Sequence, residues 1–92
     1  MQPLIAQFDI PGMTAQQYDA VMVDLERAGL TAPQGRRMHM AQEVPGGWFV
    51  TDLWDNGADL EKFAAKLIPI LNQNGVNPPP PRVTPAHNIV RA

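Results

Sequence analysis

The chain has 92 residues, of which 45% are hydrophobic and 17% are charged, and its formal net charge is −2. This length predicts one domain, residues 1–92, and the few scattered basic residues exclude the basic patch that a nucleic-acid surface needs. The chain has no cysteine, which excludes disulfides, thiolate nucleophiles and cysteine-based metal sites. No apolar run is long enough to cross a membrane, and the N-terminal segment lacks the pattern of a signal peptide. We therefore expect a cytoplasmic protein without a membrane partner.

The first two predicted elements are a strand and a helix. The strand is Leu4–Ile10, where alternate residues are apolar. Thr14 is a suitable N-cap for the helix, and Gln17 completes a capping box. Gly29 is suited to end the helix, which is therefore predicted over Ala15–Ala28. Its apolar stripe is formed by Tyr18, Val21, Met22, Leu25 and Ala28.

A β-hairpin is predicted next. Its strands are Arg36–Glu43 and Trp48–Trp54, the second of which is rich in aromatic and β-branched residues. Pro45 and Gly46 suit the two central positions of a type II turn, because proline presets a negative φ and glycine accepts a positive one. A two-residue turn fixes which residues of the two strands lie opposite each other.

This register brings a histidine and an aspartate together. His39 is predicted to lie opposite Asp52, on the face that also carries Trp48 and Trp54. Arg37 is predicted opposite Trp54, where it could form a cation–π contact. A carboxylate that holds an imidazole fixes its tautomer and raises its basicity, which suits proton abstraction from a phenol or an enol. The same pair also suits a purely structural role in a half-buried sheet.

A second helix follows the hairpin and is capped by Asp55 or Asn56. Its apolar face is formed by Leu60, Phe63, Ala64, Leu67, Ile68 and Leu71. Pro69 lies within this pattern, so the helix either kinks there or ends at Ile68. The proline-rich stretch Asn77–Pro81 predicts a short extended spacer.

The last predicted strand is Arg82–Val90. Pro85 demands an edge position or a bulge, because proline cannot donate a hydrogen bond to a neighbouring strand. His87 and Asn88 are consecutive and therefore point to opposite faces. One of them could line a cavity while the other contacts a partner or water.

The element order predicts a ferredoxin-like βαββαβ α+β sandwich with an antiparallel four-stranded sheet. Both helices cover one face of this sheet. The strands nevertheless carry large apolar residues on both faces, which is typical of sheets covered on both sides. We therefore expect a homodimer that pairs through the uncovered face and buries roughly 2,000 Å² or more.

Several stretches together resemble one protein family. They are "PGMT", "GGWFVTDLWDN", a proline-bearing helix and the "HN" near the end of the chain, and they are similar to the antibiotic-biosynthesis-monooxygenase-like group of the dimeric α+β barrel superfamily. The resemblance implies a barrel formed by two sheets and a cavity for a small molecule. Some members of the superfamily oxidise anthrones or quinols without a cofactor, and others degrade haem. Members use Asn, Trp and His side chains, and the available residues of these types are His39, Trp48, Trp54, His87 and Asn88.

Two functions remain open at this point. The first is a cofactor-independent monooxygenase that acts on a small aromatic or quinol-type substrate, with His39 and Asp52 as catalytic residues and Trp48, Trp54, His87 and Asn88 as ligand-binding residues. The alternative is a non-catalytic ligand-binding or regulatory dimer with the same cavity. RNA binding is excluded by the charge. No cofactor or metal is expected, since the histidines lack the close spacing of a ligand pair.

Overall fold

A computed structural model describes residues 2–92 of the protein. The sheet is antiparallel and has the strand order β2-β3-β1-β4, which confirms the predicted ferredoxin-like fold. The elements are β1 (Leu4–Pro11), α1 (Ala15–Arg27), β2 (Arg36–Val44), β3 (Gly47–Trp54), α2 (Gly57–Gln73) and β4 (Arg82–Pro85). Neither helix in residues 2–92 combines the length and the apolar character needed to cross a bilayer.

Helix α1 begins with the predicted capping box. The Thr14 side chain accepts a hydrogen bond from the Gln17 backbone at 3.1 Å, and the Gln17 side chain accepts one from the Thr14 backbone at 3.0 Å. Gly29 follows the helix with a φ of 72°. The backbone of Leu30 then donates to the carbonyl of Leu25 at 2.8 Å, which satisfies an otherwise free carbonyl of the last turn. The helix ends at Arg27, one residue earlier than predicted.

The β2–β3 hairpin has the predicted turn and most of the predicted register. Gly46 has a φ of 79°, and His39 lies opposite Asp52. The prediction that Arg37 lies opposite Trp54 is wrong, since an irregularity between residues 36 and 38 places Arg36 there. An extra residue in one strand shifts every later pair. The Arg37 side chain instead bonds to Asp55, outside the sheet, and the predicted cation–π contact with Trp54 does not form.

Helix α2 starts at the Asn56 cap, whose side chain accepts a hydrogen bond from the Asp59 backbone at 2.9 Å. The alternative in which this helix ends at Ile68 is wrong, because it continues through Pro69 to Gln73. Proline removes the hydrogen bond to the carbonyl four residues earlier, that of Ala65. Both Ala65 and Pro69 are exposed, so water can replace the missing donor.

Strand β4 is shorter than predicted. It ends at Pro85, and His87 and Asn88 lie in a non-strand segment where both are exposed. The prediction that these two residues point to opposite faces of a strand is therefore wrong. Proline at an edge cannot donate to the ladder. The chain leaves the sheet there, with the Ala86 backbone donating to the Pro3 carbonyl at 2.8 Å.

The two faces of the sheet differ in their cover. The helices cover one face, and the core between the layers includes Ala6, Ile10, Val21, Leu25, Trp48, Val50, Trp54, Leu60, Phe63 and Leu71. The strand register places another set of residues on the opposite face, and it includes Ile5, Gln7, Met38, Met40, Phe49, Thr51 and Leu53. We call this second surface the open face. Met38 and Met40 on it are 44% and 53% exposed, so large apolar side chains meet solvent there.

Candidate functional site

The candidate site is built around a buried carboxylate. Asp52 is only 4% exposed and lies on the helix-covered face of β3. One carboxylate oxygen is 2.6 Å from Nδ1 of His39, and the other accepts a hydrogen bond from Nε1 of Trp54 at 3.2 Å. A buried carboxylate is costly unless donors surround it. The hairpin supplies both donors, because His39 lies opposite Asp52 and Trp54 lies two residues along the same strand.

His39 is held at both ring nitrogens. Its Nδ1 bonds to Asp52, and its Nε2 is 2.7 Å from the hydroxyl of Tyr18. When the ring is neutral, Nδ1–H donates to the carboxylate and Nε2 accepts from the tyrosine. We call the connected side chains Tyr18, His39 and Asp52 the relay. The sequence predicted the pairing of His39 with Asp52, whereas it did not identify Tyr18 as their partner.

Tyr18 reaches the relay from the first turn of α1. Its ring stacks on Trp48 with the ring centroids 5.0 Å apart, and it lies parallel to His39 with centroids 6.1 Å apart. Burial raises the pKa of the Tyr18 hydroxyl, with smaller contributions from Arg36, which lowers it, and from Asp52 and Asp19, which raise it. Tyr18 therefore keeps its proton at neutral pH and acts as a donor.

A small cavity opens beside the relay, between the two helices and the sheet. We call it the inner cavity, and its volume is about 60 Å³. Its polar lining comes from the relay and from Arg36. The remaining lining is apolar and includes Phe8, Met22, Val50, Phe63, Leu67 and Leu71.

Arg36 supplies the positive charge of this cavity. Its guanidinium carbon lies 5.4 Å from the centre of the Phe63 ring, and a terminal nitrogen donates to the Thr31 carbonyl at 3.0 Å. A cation held against an aromatic ring in this way stays near the cavity. The sequence predicted Arg37 on this face and did not identify Arg36, because only the bulge in β2 turns Arg36 toward the helices.

A second, larger space adjoins the inner cavity. We call it the outer groove, and it is about 550 Å³ in volume. It lies between α2, Phe8, Val83 of β4 and the prolines Pro78–Pro81. Four residues line both spaces, namely Phe8, Phe63, Leu67 and Leu71. The two spaces are therefore neighbours separated by apolar side chains.

The other residues singled out in the sequence have different positions. Trp54 is completely buried, and its ring packs on Phe63 with centroids 5.7 Å apart. Trp48 is 8% exposed, and within residues 2–92 its Nε1–H has no acceptor. Neither tryptophan lines the inner cavity. Trp48 contacts Tyr18 of the relay, and Trp54 bonds to Asp52 of the relay. His87 and Asn88 are exposed and line neither space.

Within residues 2–92, no group of three or more His, Asp or Glu side chains is arranged to hold a metal ion. The donors that the site does offer are the tyrosine hydroxyl, the imidazole and the guanidinium. This set suits hydrogen bonding to a ligand oxygen and stabilisation of an anion.

Known structures share this fold. A crystal structure from Deinococcus radiodurans, named as a "putative antibiotic biosynthesis monooxygenase", superposes with a TM-score of 0.59 at 16% identity, over 100% of this chain and 98% of that one. A protein of the same name from Bordetella bronchiseptica superposes with a TM-score of 0.51 at 10% identity, over 98% of this chain and 100% of that one. The chain has their fold. The resemblance seen in the sequence is thus confirmed for the fold. No family model matches the chain, and no curated protein matches it.

Proposed function

We propose that the protein binds a small, mainly apolar molecule that carries a phenol or enol hydroxyl, and that it removes the hydroxyl proton with His39 as the base. The observation that carries this proposal is the relay, which is a base held by a buried carboxylate beside an apolar cavity. Asp52 accepts the Nδ1–H of His39, which orients the imidazole and leaves Nε2 as the nitrogen that carries the lone pair. Arg36 is placed to stabilise the anion that the ligand becomes.

The volumes of the two spaces suggest that each holds a different part of the ligand. A cavity of roughly 150 Å³ is needed to hold a benzene ring, so the inner cavity of about 60 Å³ is too small for one. The outer groove, at about 550 Å³, falls in the size range of ligand pockets. We place the ring system of the ligand in the outer groove, and its hydroxyl would reach the relay once the side chains of Phe8 and Leu67, which line both spaces, move apart.

The reaction that this arrangement supports best is monooxygenation by dioxygen without a cofactor. Loss of the hydroxyl proton gives an electron-rich anion, which can react with dioxygen directly. For a naphthoquinol, one oxygen atom forms a bond to a ring carbon and the other leaves as water, and the product is a hydroxynaphthoquinone. The quinol and one dioxygen are consumed together, so four electrons pass from the ring to dioxygen and no peroxide remains.

We further propose that two copies of the chain pair through the open face. Support comes from the apolar side chains that this face exposes, and from the shared fold. The relay and both spaces belong to a single chain. Pairing would therefore stabilise the sheet under the site without adding residues to the relay.

A non-catalytic ligand-binding protein is the second candidate, and one observation favours it. Both ring nitrogens of His39 already have partners at 2.6 and 2.7 Å, so the imidazole has no free position for a ligand. A structural histidine in a satisfied network has this arrangement. On this hypothesis the outer groove binds an apolar molecule and the relay only joins α1 to the sheet.

Oxygen uptake with naphthoquinol distinguishes the two functions. The enzyme hypothesis predicts uptake of one dioxygen per quinol and formation of hydroxynaphthoquinone, whereas uncatalysed oxidation yields naphthoquinone and peroxide. His39→Gln should lower the rate by on the order of 10²-fold, the usual contribution of a positioned base. His87→Gln is the matched control, since His87 is exposed and lies away from the cavity. Binding of the quinol without turnover would favour the second candidate.

A further inference from the structure

We infer that Tyr18 is a catalytic residue, the group that receives the ligand hydroxyl and passes its proton on to His39. This inference rests on the proposed function. It assigns the first contact with the ligand to a tyrosine on α1 rather than to the histidine.

Both ring nitrogens of His39 are occupied. Asp52 lies 2.6 Å from Nδ1 of His39, and the Tyr18 hydroxyl lies 2.7 Å from Nε2. A ligand in the cavity therefore finds no lone pair of His39 to approach. The Tyr18 oxygen differs in this respect. A phenol oxygen that donates its hydrogen can still accept a hydrogen bond, and Tyr18 lines the inner cavity.

The proton balance is simple. The ligand hydroxyl donates to the Tyr18 oxygen while the Tyr18 hydroxyl donates to Nε2. In the reaction the O–H bond of Tyr18 breaks as an N–H bond forms on His39, and the O–H bond of the ligand breaks as a new one forms on Tyr18. The products are the ligand anion, a neutral tyrosine and an imidazolium beside Asp52. Arg36 also lines the cavity, and its positive charge would stabilise the new anion.

The surroundings of Tyr18 favour a concerted transfer. Burial raises the pKa of its hydroxyl, so a free tyrosinate is disfavoured between the two steps. The charged groups that act on it are Arg36 from β2, Asp52 from β3 and Asp19 from its own helix. The side chains that β1 and α2 contribute to the cavity are apolar. When both protons move together, Tyr18 is neutral before and after the step.

Tyr18→Phe gives the decisive test, because the two possible routes predict opposite results. If the ligand gave its proton directly to His39, removing the hydroxyl would uncover Nε2 and would leave turnover unchanged or raise it. If Tyr18 carries the proton, turnover of naphthoquinol should fall by on the order of 10²-fold, as for a lost acid–base group. Thermal melting of the variant, compared with the parent, verifies that the fold is retained.

A second measurement uses the fact that the chain contains a single tyrosine. Growth on 3-fluorotyrosine then labels Tyr18 alone, and fluorine lowers the pKa of a phenol. In the parent protein, kcat/KM should fall at high pH as Tyr18 loses its proton. This basic limb should move to lower pH in the fluorinated protein, whereas a tyrosine with a merely structural role would leave it in place.

The outcomes separate the inference from the function on which it rests. Loss of turnover in His39→Gln, Asp52→Asn and Tyr18→Phe, with a shifted basic limb, supports both. Loss in the first two variants with full or increased turnover in Tyr18→Phe overturns the role of Tyr18 and leaves His39 as the base. Absence of turnover in the parent protein, or full turnover in all three variants, overturns the proposed function and the role of Tyr18 with it.

Discussion

The two faces of the sheet differ in the side chains that they bury and expose. The covered face buries a carboxylate and surrounds it with donors from His39 and Trp54. The open face carries no such network in the described residues, and it leaves Met38 and Met40 in solvent. A solitary domain would be expected to place its polar residues outside and its methionines inside. The contrast fits the two proposals made above, that the covered face carries chemistry and that the open face pairs with a second copy of the chain.

The largest expected effect concerns the open face. Met40→Lys should convert a dimer of the parent chain into a monomer, because each of the two copies loses a buried methionine and gains an unpaired charge. The expected loss in association free energy is about 4 kcal/mol: each half-exposed Met40 side chain gives up roughly half of the 1.5–3 kcal/mol of full burial, and the two unpaired lysine charges add the rest. Sedimentation at micromolar concentration measures it.

Val23→Lys is the matched control for Met40→Lys. Val23 is 46% exposed and lies on α1, which covers the opposite side of the sheet. Val23→Lys should therefore leave the sedimenting mass at two chains. Sedimentation of the parent protein as a single chain would contradict the proposed interface at the open face.

Removing the Asp52 carboxylate from the covered face should lower the free energy of unfolding more than removing the Thr51 hydroxyl from the open face. Asp52→Ala leaves the donors of His39 and Trp54 without an acceptor, and we expect a cost of about 3 kcal/mol in the free energy of unfolding. Urea denaturation followed by tryptophan fluorescence measures this cost. Thr51→Ala, one residue away on the open face, should cost less than about 1 kcal/mol. Equal costs for the two variants would contradict the network.

The helix that carries Tyr18 depends on its cap. Thr14→Ala should lower the free energy of unfolding by about 1 kcal/mol, because the Gln17 backbone loses its acceptor. Thr31→Ala, in the exposed loop before β2, should change it by less than about 0.5 kcal/mol. If the two variants melt at different temperatures, the loss of stability comes from the capping box and not from the loss of a threonine as such.

The smallest expected effect is the pH dependence contributed by Tyr18. Its pKa in the folded chain is raised from the ordinary value of 10.0, chiefly by burial. The folded state therefore holds this proton more tightly than the unfolded state does. The resulting stability is complete below the unfolded pKa and is lost as the pH rises through the folded one. Urea midpoints measured on either side of pH 10 should show this loss in the parent protein, and Tyr18→Phe should lack it.

The sequence predicted much of the covered face because its information is local. A two-residue turn at Pro45 and Gly46 sets the pairing of His39 with Asp52, and a capping box sets the start of α1. The contact between Tyr18 and His39 could not be predicted in this way. The two residues are 21 positions apart, and they meet only when the helix docks on the sheet. The apolar stripe of α1 contained Tyr18 but did not say which strand residue it would touch.

The remaining errors also have physical causes. The irregularity in β2 shifts Arg36 toward the helices, and a bulge has no strong local signature in this stretch. Helix α2 continues past Pro69, and Ala65, whose carbonyl loses its donor, lies on an exposed part of the helix. That exposure depends on how the helix packs. Strand β4 ends early because Pro85 pairs with Leu4, the first residue of β1, and beyond this pair only the backbone bond from Ala86 to the Pro3 carbonyl holds the chain within the described residues.

The proline spacer has a consequence for ligand recognition. Pro78–Pro81 forms one wall of the outer groove, and a proline has no backbone N–H to donate. This wall therefore cannot donate a backbone hydrogen bond to a ligand, although its carbonyls can accept one, and its fixed backbone angles limit how far it can adapt. Ring systems of similar thickness should be accepted alike whichever hydrogen-bond acceptors they carry along that edge. Selection among acceptor groups would then fall to the far end of the proposed ligand, where its hydroxyl would meet the relay.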